Sequence, residues 1–161
     1  MNTSKLGVAQ RFSERVSRGE LTSDIGITYR VMGGMPHESI EEEFTLSGNA
    51  QAHVVSGDPR HSKLQRKVSA KLDRAEARAL FELAGKVFTD VSTRQARGFL
   101  PDSIVGSITI RVGSEEVEAY FLTDEDQRVD QEKPISSELA MAVQRFDETS
   151  KRLLARAGGK R

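Results

Sequence analysis

Three histidines are the side chains in this sequence best suited to metal or acid-base chemistry. They are His37, His53 and His61, and Asp58 lies between the last two. Imidazole nitrogens with a carboxylate are a ligand set that divalent transition metals accept, so His53, Asp58 and His61 form a candidate metal site. Such spacings also arise in ordinary surface segments, and His53 falls on the polar face of its strand. We therefore expect solvated histidines, with a small metal-dependent hydrolase that uses His37, His53, Asp58 or His61 as the alternative.

Carboxylates and serines are the remaining candidates for catalysis. Asp102 and the run from Asp124 to Asp126 supply carboxylates for acid and base chemistry, but no pattern places two of them in one apolar pocket. Ser103 and Ser107 lack the spacing of a nucleophile with its base. The chain contains no cysteine, and it has no glycine-rich phosphate loop, nucleophile elbow or paired-histidine zinc helix. These observations predict a non-enzymatic protein without a cofactor.

Charge is segregated along the chain, although the net charge is zero. Residues 38–59 include five acidic and no basic residues, whereas residues 60–78 include seven basic and two acidic ones. Residues 99–132 then hold nine acidic and two basic residues, and residues 133–161 hold seven basic and three acidic ones. The missing interleaved aromatic residues and the flanking acidic tracts argue against a nucleic-acid interface. The segregation favours charged surfaces that pair internally or contact a partner protein.

The composition is typical of one globular domain that spans residues 1–161. The chain is 37% hydrophobic and 30% charged, within the range of globular proteins, and a chain of this length buries a core without disulfides. No apolar run approaches the roughly 20 residues of a membrane span, and the N-terminus lacks a signal-peptide core. We predict a soluble, cytoplasmic, bacterial-type protein without a membrane partner.

Periodicity of the apolar residues predicts both strands and helices. Strand patterns occupy residues 25–32, 40–46, 52–54, 68–72, 104–112 and 117–121. Helix patterns occupy residues 5–18, 73–90 and 136–156. This order predicts an α+β fold, with a single mostly antiparallel sheet of five or six strands, two long helices on one face and an N-terminal helix. Residues 1–20 are predicted as a helical arm, either docked or mobile, and residues 157–161 as a flexible basic tail.

The faces of the predicted strands fix the parity of two hairpin loops. Ile40, Glu42, Phe44 and Leu46 share one face of their strand. For Leu46 to lie opposite Ala52, the loop around Gly48 and Asn49 must contain three or five residues, and the three-residue form needs a left-handed position that Gly or Asn supplies. In the last hairpin, a turn over residues 113–116 predicts Val112 opposite Val117.

The last helix carries a heptad-like seam. Its members are Leu139, Val143, Phe146, Ser150, Leu153 and Ala157. The steps of four and three residues resemble a coiled-coil pattern, and Ala142 and Leu154 widen the seam into the stripe of a helix that lies on a sheet. The wider stripe predicts that the helix covers its own core. The alternative is that Phe146, Ser150 and Leu153 bind a partner or a second copy.

Three short motifs carry a resemblance to small bacterial domains. They are Tyr29 to Gly34, the helix start from Leu72 to Leu83, and Pro101-Asp102 ahead of Ile108-Thr109-Ile110. The chain resembles the emfourin-type protein inhibitors of metalloproteases, and also uncharacterised bacterial domains with the same order of elements. The resemblance implies that an exposed loop, presented rigidly by the sheet, inserts into the partner. The inserting residues would then be Gly33, Gly34, Met35 and Pro36, and the alternative is a plain turn between strands.

Together these patterns predict a protein-binding module that acts as an inhibitor or accessory protein of a bacterial partner. One predicted binding loop contains Gly33, Gly34, Met35, Pro36 and His37. The other is acidic and contains Asp124, Glu125 and Asp126. The sequence does not identify the partner, and self-association through the C-terminal helix remains open.

Overall fold

The computed structural model describes residues 3–33, 40–57, 65–89, 104–123 and 137–159. These residues form nine regular elements. In chain order they are α1 (Thr3–Ser17), β1 (Ile25–Gly33), β2 (Ile40–Ser47), β3 (Gln51–Gly57), β4 (Arg66–Lys71), α2 (Arg74–Thr89), β5 (Ile104–Val112), β6 (Glu115–Thr123) and α3 (Ser137–Gly159).

The strands form one six-stranded sheet in the order β4-β3-β2-β1-β5-β6. Every neighbouring pair is antiparallel. The first four strands follow one another as a meander, and the β5–β6 hairpin adds to the far side of β1 after α2. Strands β4 and β6 therefore lie at the two edges, and the predicted α+β class is confirmed.

The helices cover one face of this sheet. Helix α1 contacts β5 and β6, α3 contacts β3 and β4, and α2 packs against both α1 and α3. Alternation along the strands directs their apolar side chains towards the helices. Phe146 of α3 lies 5.8 Å from Tyr29 and 6.0 Å from Phe44 between ring centroids, and all three side chains are fully buried.

Helix α1 is docked on the domain. Phe12 is fully buried, and its ring centroid lies 5.7 Å from that of Phe81 in α2. In the last turn of the helix, the Arg15 guanidinium donates hydrogen bonds to both carboxylate oxygens of Asp24 at 2.6 and 2.9 Å. This bidentate pair joins the end of α1 to the residue that precedes β1.

The β2–β3 hairpin has the predicted register. Leu46 lies opposite Ala52, and the loop between Ser47 and Gln51 has three residues. The left-handed residue in that loop is Ala50, with φ of 68°, and not Gly48 or Asn49. Gly48 is needed for another reason, because a Cβ there would lie 2.6 Å from the backbone nitrogen of Thr22.

The β5–β6 hairpin differs from the prediction. Val112 lies opposite Glu115, and Val117 lies opposite Ile110. The loop therefore has two residues, and its first, Gly113, has φ of 63°, the position that glycine takes in type II′ turns. A shift of two residues keeps every side chain on its predicted face, so the apolar alternation alone did not distinguish the two registers.

Candidate functional site

The predicted metal ligands are not brought together in the part of the chain that the structure describes. His53 lies on the uncovered face of β3, and its Nδ1 lies 2.8 Å from the Ser69 hydroxyl. His37, Asp58 and His61 lie outside the described residues. Within those residues, no group of three or more His, Asp or Glu side chains is placed to hold a metal ion.

The two predicted binding loops start from one end of the sheet. Gly33, the last residue of β1, pairs with Ile104 of β5, which pairs with Thr123, the last residue of β6. The ends of β1 and β6 are therefore two strand spacings, or about 10 Å, apart. Other predicted loop residues lie outside the described ranges, namely Gly34, Met35, Pro36, His37, Asp124, Glu125 and Asp126.

The predicted seam of α3 faces the protein's own core. Phe146 and Ser150 are 0% exposed and Leu153 is 3% exposed, because this face of the helix lies against the sheet. The three side chains therefore form no exposed surface for a partner. On the same helix, Met141 is 55% exposed and faces away from the core.

A polar cluster in which Glu42 and Ser150 are buried joins β2 to α3. The Ser150 hydroxyl donates a hydrogen bond to Glu42 at 2.6 Å, and Lys151 pairs with Asp147 at 2.9 Å. Burial is the main cause of the raised pKa of Glu42. The hydrogen bond from Ser150 lowers this pKa, and the negative charge of Asp147 raises it further. Burial, followed by the charges of Asp147 and Glu42, also raises the pKa of Tyr29.

None of the described residues of this cluster lines the depression on the polar face of the sheet or the groove along β4. Two signals in the sequence point to the cluster. Glu42 lies on an otherwise apolar face of β2, and Ser150 interrupts the apolar seam of α3. Neither signal alone identifies the other residue, because the two are 108 positions apart.

The face of the sheet opposite the helices is polar. One row in register across all six strands consists of Glu118, Thr109, Thr28, Thr45, His53 and Ser69. A depression of about 260 Å³ lies over this face, which is smaller than the pockets that hold drug-sized ligands. The Arg111 guanidinium beside it already donates to three backbone carbonyls, those of Ser23, Asp24 and Gly113.

A larger groove, of about 610 Å³, runs along β4. It lies between this edge strand, the start of α2 and the last turns of α3. Its apolar lining includes Val68, Ala70 and Leu153, of which the first two are half-buried and the third is buried. An extended segment could therefore cover apolar side chains that the helices cover only in part.

Basic side chains predominate around this groove. Lys71, Arg152 and Arg156 line it together with the acidic Asp73 and Glu76. Arg152 forms an ion pair with Glu76, which leaves the combined charge of the lining positive. The groove therefore favours acidic groups.

The backbone of β4 is oriented to accept a further strand. The Leu72 N–H donates to the Ala50 carbonyl at 2.8 Å, so the even-numbered residues of β4 direct their N–H and C=O groups towards β3. Lys67, Ser69 and Lys71 therefore direct theirs away from the sheet. Among the described residues, β3 is the one strand that pairs with β4. The sequence predicted this strand, but its position at the edge depends on long-range pairing.

Comparisons with family models and with curated proteins find no match for this chain. Within the described ranges, none of the helices is long and apolar enough to cross a membrane.

Proposed function

We propose that this protein binds another protein by adding an extended segment of that partner to the edge of its sheet at β4. The observation that carries the proposal is the set of outward backbone groups on Lys67, Ser69 and Lys71, beside a groove with an apolar lining. In strand addition, main-chain hydrogen bonds supply affinity and contacts to alternate side chains supply specificity. Both elements of that binding mode are available at β4.

The side chains beside β4 indicate which segments would bind. On the helix-covered side, a bound segment would contact Val68 and Ala70 of β4 and Leu153 of α3, which favours valine or isoleucine. On the polar side it would lie opposite Lys67 and Lys71, and opposite charges stabilise cross-strand pairs. The proposed ligand is therefore an extended protein segment that alternates acidic and apolar residues.

The resemblance to emfourin-type inhibitors makes a bacterial metalloprotease one candidate partner. In that form of the proposal, the loop from Gly33 to His37 would contact the enzyme. The pairing of Gly33 with both Ile40 and Ile104 supports it, because a loop that starts from a paired strand is held rigidly at its base. Unchanged activity of a bacterial metalloprotease at micromolar excess of this protein would exclude inhibition and leave binding at β4 unaffected.

Nuclear magnetic resonance tests the β4 site directly. We would titrate nitrogen-15-labelled protein with a ten-residue synthetic peptide in which glutamate alternates with valine. The amide protons of Lys67, Ser69 and Lys71 should shift and become protected from solvent exchange as they form new hydrogen bonds. The amides of Val68 and Ala70 already bond to β3 and should be protected throughout. Shifts centred on Thr28 and the polar face would contradict the proposal.

A proline variant separates the edge from the rest of the sheet. Ser69→Pro removes one outward N–H group and keeps every backbone hydrogen bond to β3, and it also removes the hydroxyl that lies 2.8 Å from His53 Nδ1. We expect it to weaken peptide binding by about tenfold or more, since a ladder bond is lost and the ring obstructs the edge. The control is Thr45→Ala on the polar face, which should bind the peptide like the wild type. Equal binding by Ser69→Pro and the wild type would refute strand addition at β4.

A further inference from the structure

We infer that the strand received by β4 is β6 of a second copy of this chain, so that copies join head to tail in one continuous sheet. The inference rests on the proposed function, because it names the partner of the same β4 edge. Three independent features support it: the backbone orientation of β6, the order of the strands and the charges of the two edges.

Strand β6 presents a backbone edge that matches that of β4. The Gly113 N–H donates to the Asp24 carbonyl at 2.8 Å, so odd-numbered residues of β5 bond towards β1 and even-numbered ones towards β6. The registered partners of those even-numbered residues are the odd-numbered residues of β6. Glu116 and Glu118 therefore direct their N–H and C=O groups outwards. In the described part of the chain, β6 pairs with β5 alone.

The strand order makes the two edges compatible in direction. Because all neighbours in the six-stranded sheet are antiparallel, β4 and β6 run in opposite directions. A second copy displaced sideways without rotation therefore places its β6 antiparallel to β4, with both helix-covered faces on the same side. The outward residues of both edges carry their side chains on the polar face, so regular hydrogen-bonded pairs can form.

One register brings complementary charges together on the polar face. In it, Lys71 lies opposite Glu116 of the second copy, and Ser69 lies opposite Glu118 of the second copy. Glu118 is then placed diagonally between Lys67 and Lys71, at a distance that long side chains can reach. Both acidic residues of the β6 edge thereby meet the basic residues of the β4 edge.

The same register continues the apolar face beneath the helices. Ala70 then lies opposite Val117 of the second copy, and Val68 lies opposite Ala119 of the second copy. Within each copy, Val117 and Ala119 belong to the apolar core. Val68 and Ala70 of each copy are partly buried and pack against that copy's own core. The junction therefore pairs apolar with apolar residues on one face and basic with acidic residues on the other.

The edge charges disfavour a two-fold dimer through identical strands. Two β4 strands in antiparallel register bring Lys67 close to Lys71, and two β6 strands bring Glu116 close to Glu118. Like charges directly opposite one another destabilise a strand pair. The head-to-tail contact is therefore the favoured one, and such a contact produces rings or filaments according to the rotation between copies.

Charge reversal tests this assembly. The wild-type chain should form oligomers in low-salt sedimentation experiments at high protein concentration, and 1 M salt should dissociate them because it screens the edge charges. The variants Lys67→Glu/Lys71→Glu and Glu116→Lys/Glu118→Lys should each associate at least about tenfold more weakly than the wild type. A mixture of the two variants should associate like the wild type, because every basic edge again has an acidic partner. Recovery in the mixture also shows that each variant is folded.

Cross-linking identifies which edges meet. Because the chain contains no cysteine, a short bismaleimide should link Ser69→Cys protein to Glu118→Cys protein and should not link Ser69→Cys protein to itself. A monomeric wild type at millimolar concentration, variants that associate as strongly as the wild type, or self-linking of Ser69→Cys would each overturn the inference. If the wild type is monomeric but still binds the glutamate-valine peptide at β4, this inference fails and the proposed function stands. If neither occurs, both fail.

Discussion

Ser150 of α3 donates a hydrogen bond to the Glu42 carboxylate across 2.6 Å inside the core. The two residues are 0% and 5% exposed. Glu42 is buried because it is two residues before Phe44 on β2 and therefore shares the face that the helices cover. A buried carboxylate is costly unless it is hydrogen-bonded, which explains the serine in the apolar seam of α3. This pair makes the stability of the protein depend on pH.

Replacing Glu42 should stabilise the protein at neutral pH. Burial raises the pKa of Glu42 in the folded state, so its favourable contribution is present below the unfolded value of about 4.3 and is lost as pH rises through the folded value. Glu42→Gln keeps a hydrogen-bonding group for Ser150 without the charge. We expect it to raise the free energy of unfolding by about 1 kcal/mol at pH 7, measured by urea denaturation, with a smaller effect near pH 4.

The matched control is Glu43→Gln, because the neighbouring Glu43 lies on the polar face. Its carboxylate is 3.7 Å from the Arg30 guanidinium and 38% exposed, and exposed ion pairs contribute little to stability. The control should therefore change stability by less than about 0.5 kcal/mol at either pH. An effect of Glu42→Gln on stability that is equal at pH 4 and pH 7 would mean that the pKa of Glu42 is not raised in the folded protein.

The Asp24 carboxyl should titrate far below ordinary aspartates. Hydrogen bonds from Arg15, and then from Thr22, lower the pKa of Asp24. The folded value lies below the unfolded one, so this group stabilises the fold above about pH 3.9 and that contribution is lost as pH falls. Arg15→Gln should return the Asp24 pKa towards its usual range in a carbon-13 NMR titration, whereas Arg11→Gln, which removes the pair with Glu115, should not. Ordinary titration of Asp24 in the wild type would contradict this arrangement.

The strands were predictable from sequence because alternation fixes which side chains share a face. The β2–β3 register followed from this, since an odd loop was required to place Leu46 opposite Ala52. For β5–β6 the same argument allowed several even loops, and the left-handed conformation of Gly113 selected the two-residue one. The alternation of apolar residues determines whether a hairpin loop has an odd or an even number of residues, whereas the exact register depends on turn conformation and packing.

The candidate site could not be predicted from local patterns. The sequence indicates a short strand at residues 68–72, but the pairing of β1 with β5 decides that β4 and β6 are the edges. The groove beside β4 also requires α3 to return from the end of the chain, where Arg66 donates to the Leu154 carbonyl at 2.6 Å. Both features depend on contacts between residues that are distant in sequence. The periodicity of apolar residues does not indicate such contacts.

Two substitutions on α3 distinguish a core helix from a partner-binding one. Phe146→Ala should lower the free energy of unfolding by about 3–5 kcal/mol, because Phe146 is fully buried against Tyr29 and Phe44 and the change leaves a cavity. Met141→Ala, at an exposed position, should change it by less than about 0.5 kcal/mol. Thermal unfolding by circular dichroism measures both. A small effect for Phe146→Ala would mean that α3 is not packed on the sheet.

Gly48→Ala should be among the most damaging small substitutions in this chain. A Cβ at Gly48 would lie 2.6 Å from the Thr22 backbone nitrogen, still closer to the Thr22 carbonyl oxygen, and 2.7 Å from the Ile25 side chain. The first two neighbours are backbone atoms, and the Gly48 N–H also bonds to the Ile25 carbonyl at 2.9 Å. The hairpin must therefore move to accept the methyl group. We expect a loss of about 1–3 kcal/mol or more in urea unfolding.

The control for this experiment is the same substitution in a helix. A Cβ at Gly7 in α1 would have no atom within 4 Å, so Gly7→Ala gains the helix preference of alanine without a clash. It should raise the free energy of unfolding by about 0.5–1 kcal/mol. If Gly48→Ala lowers the free energy of unfolding and Gly7→Ala raises it, the contact with Thr22 is the cause of the loss in Gly48→Ala. Both substitutions remove the same backbone freedom from the unfolded chain. A stabilising Gly48→Ala would show that the β2–β3 turn does not approach Thr22 as described.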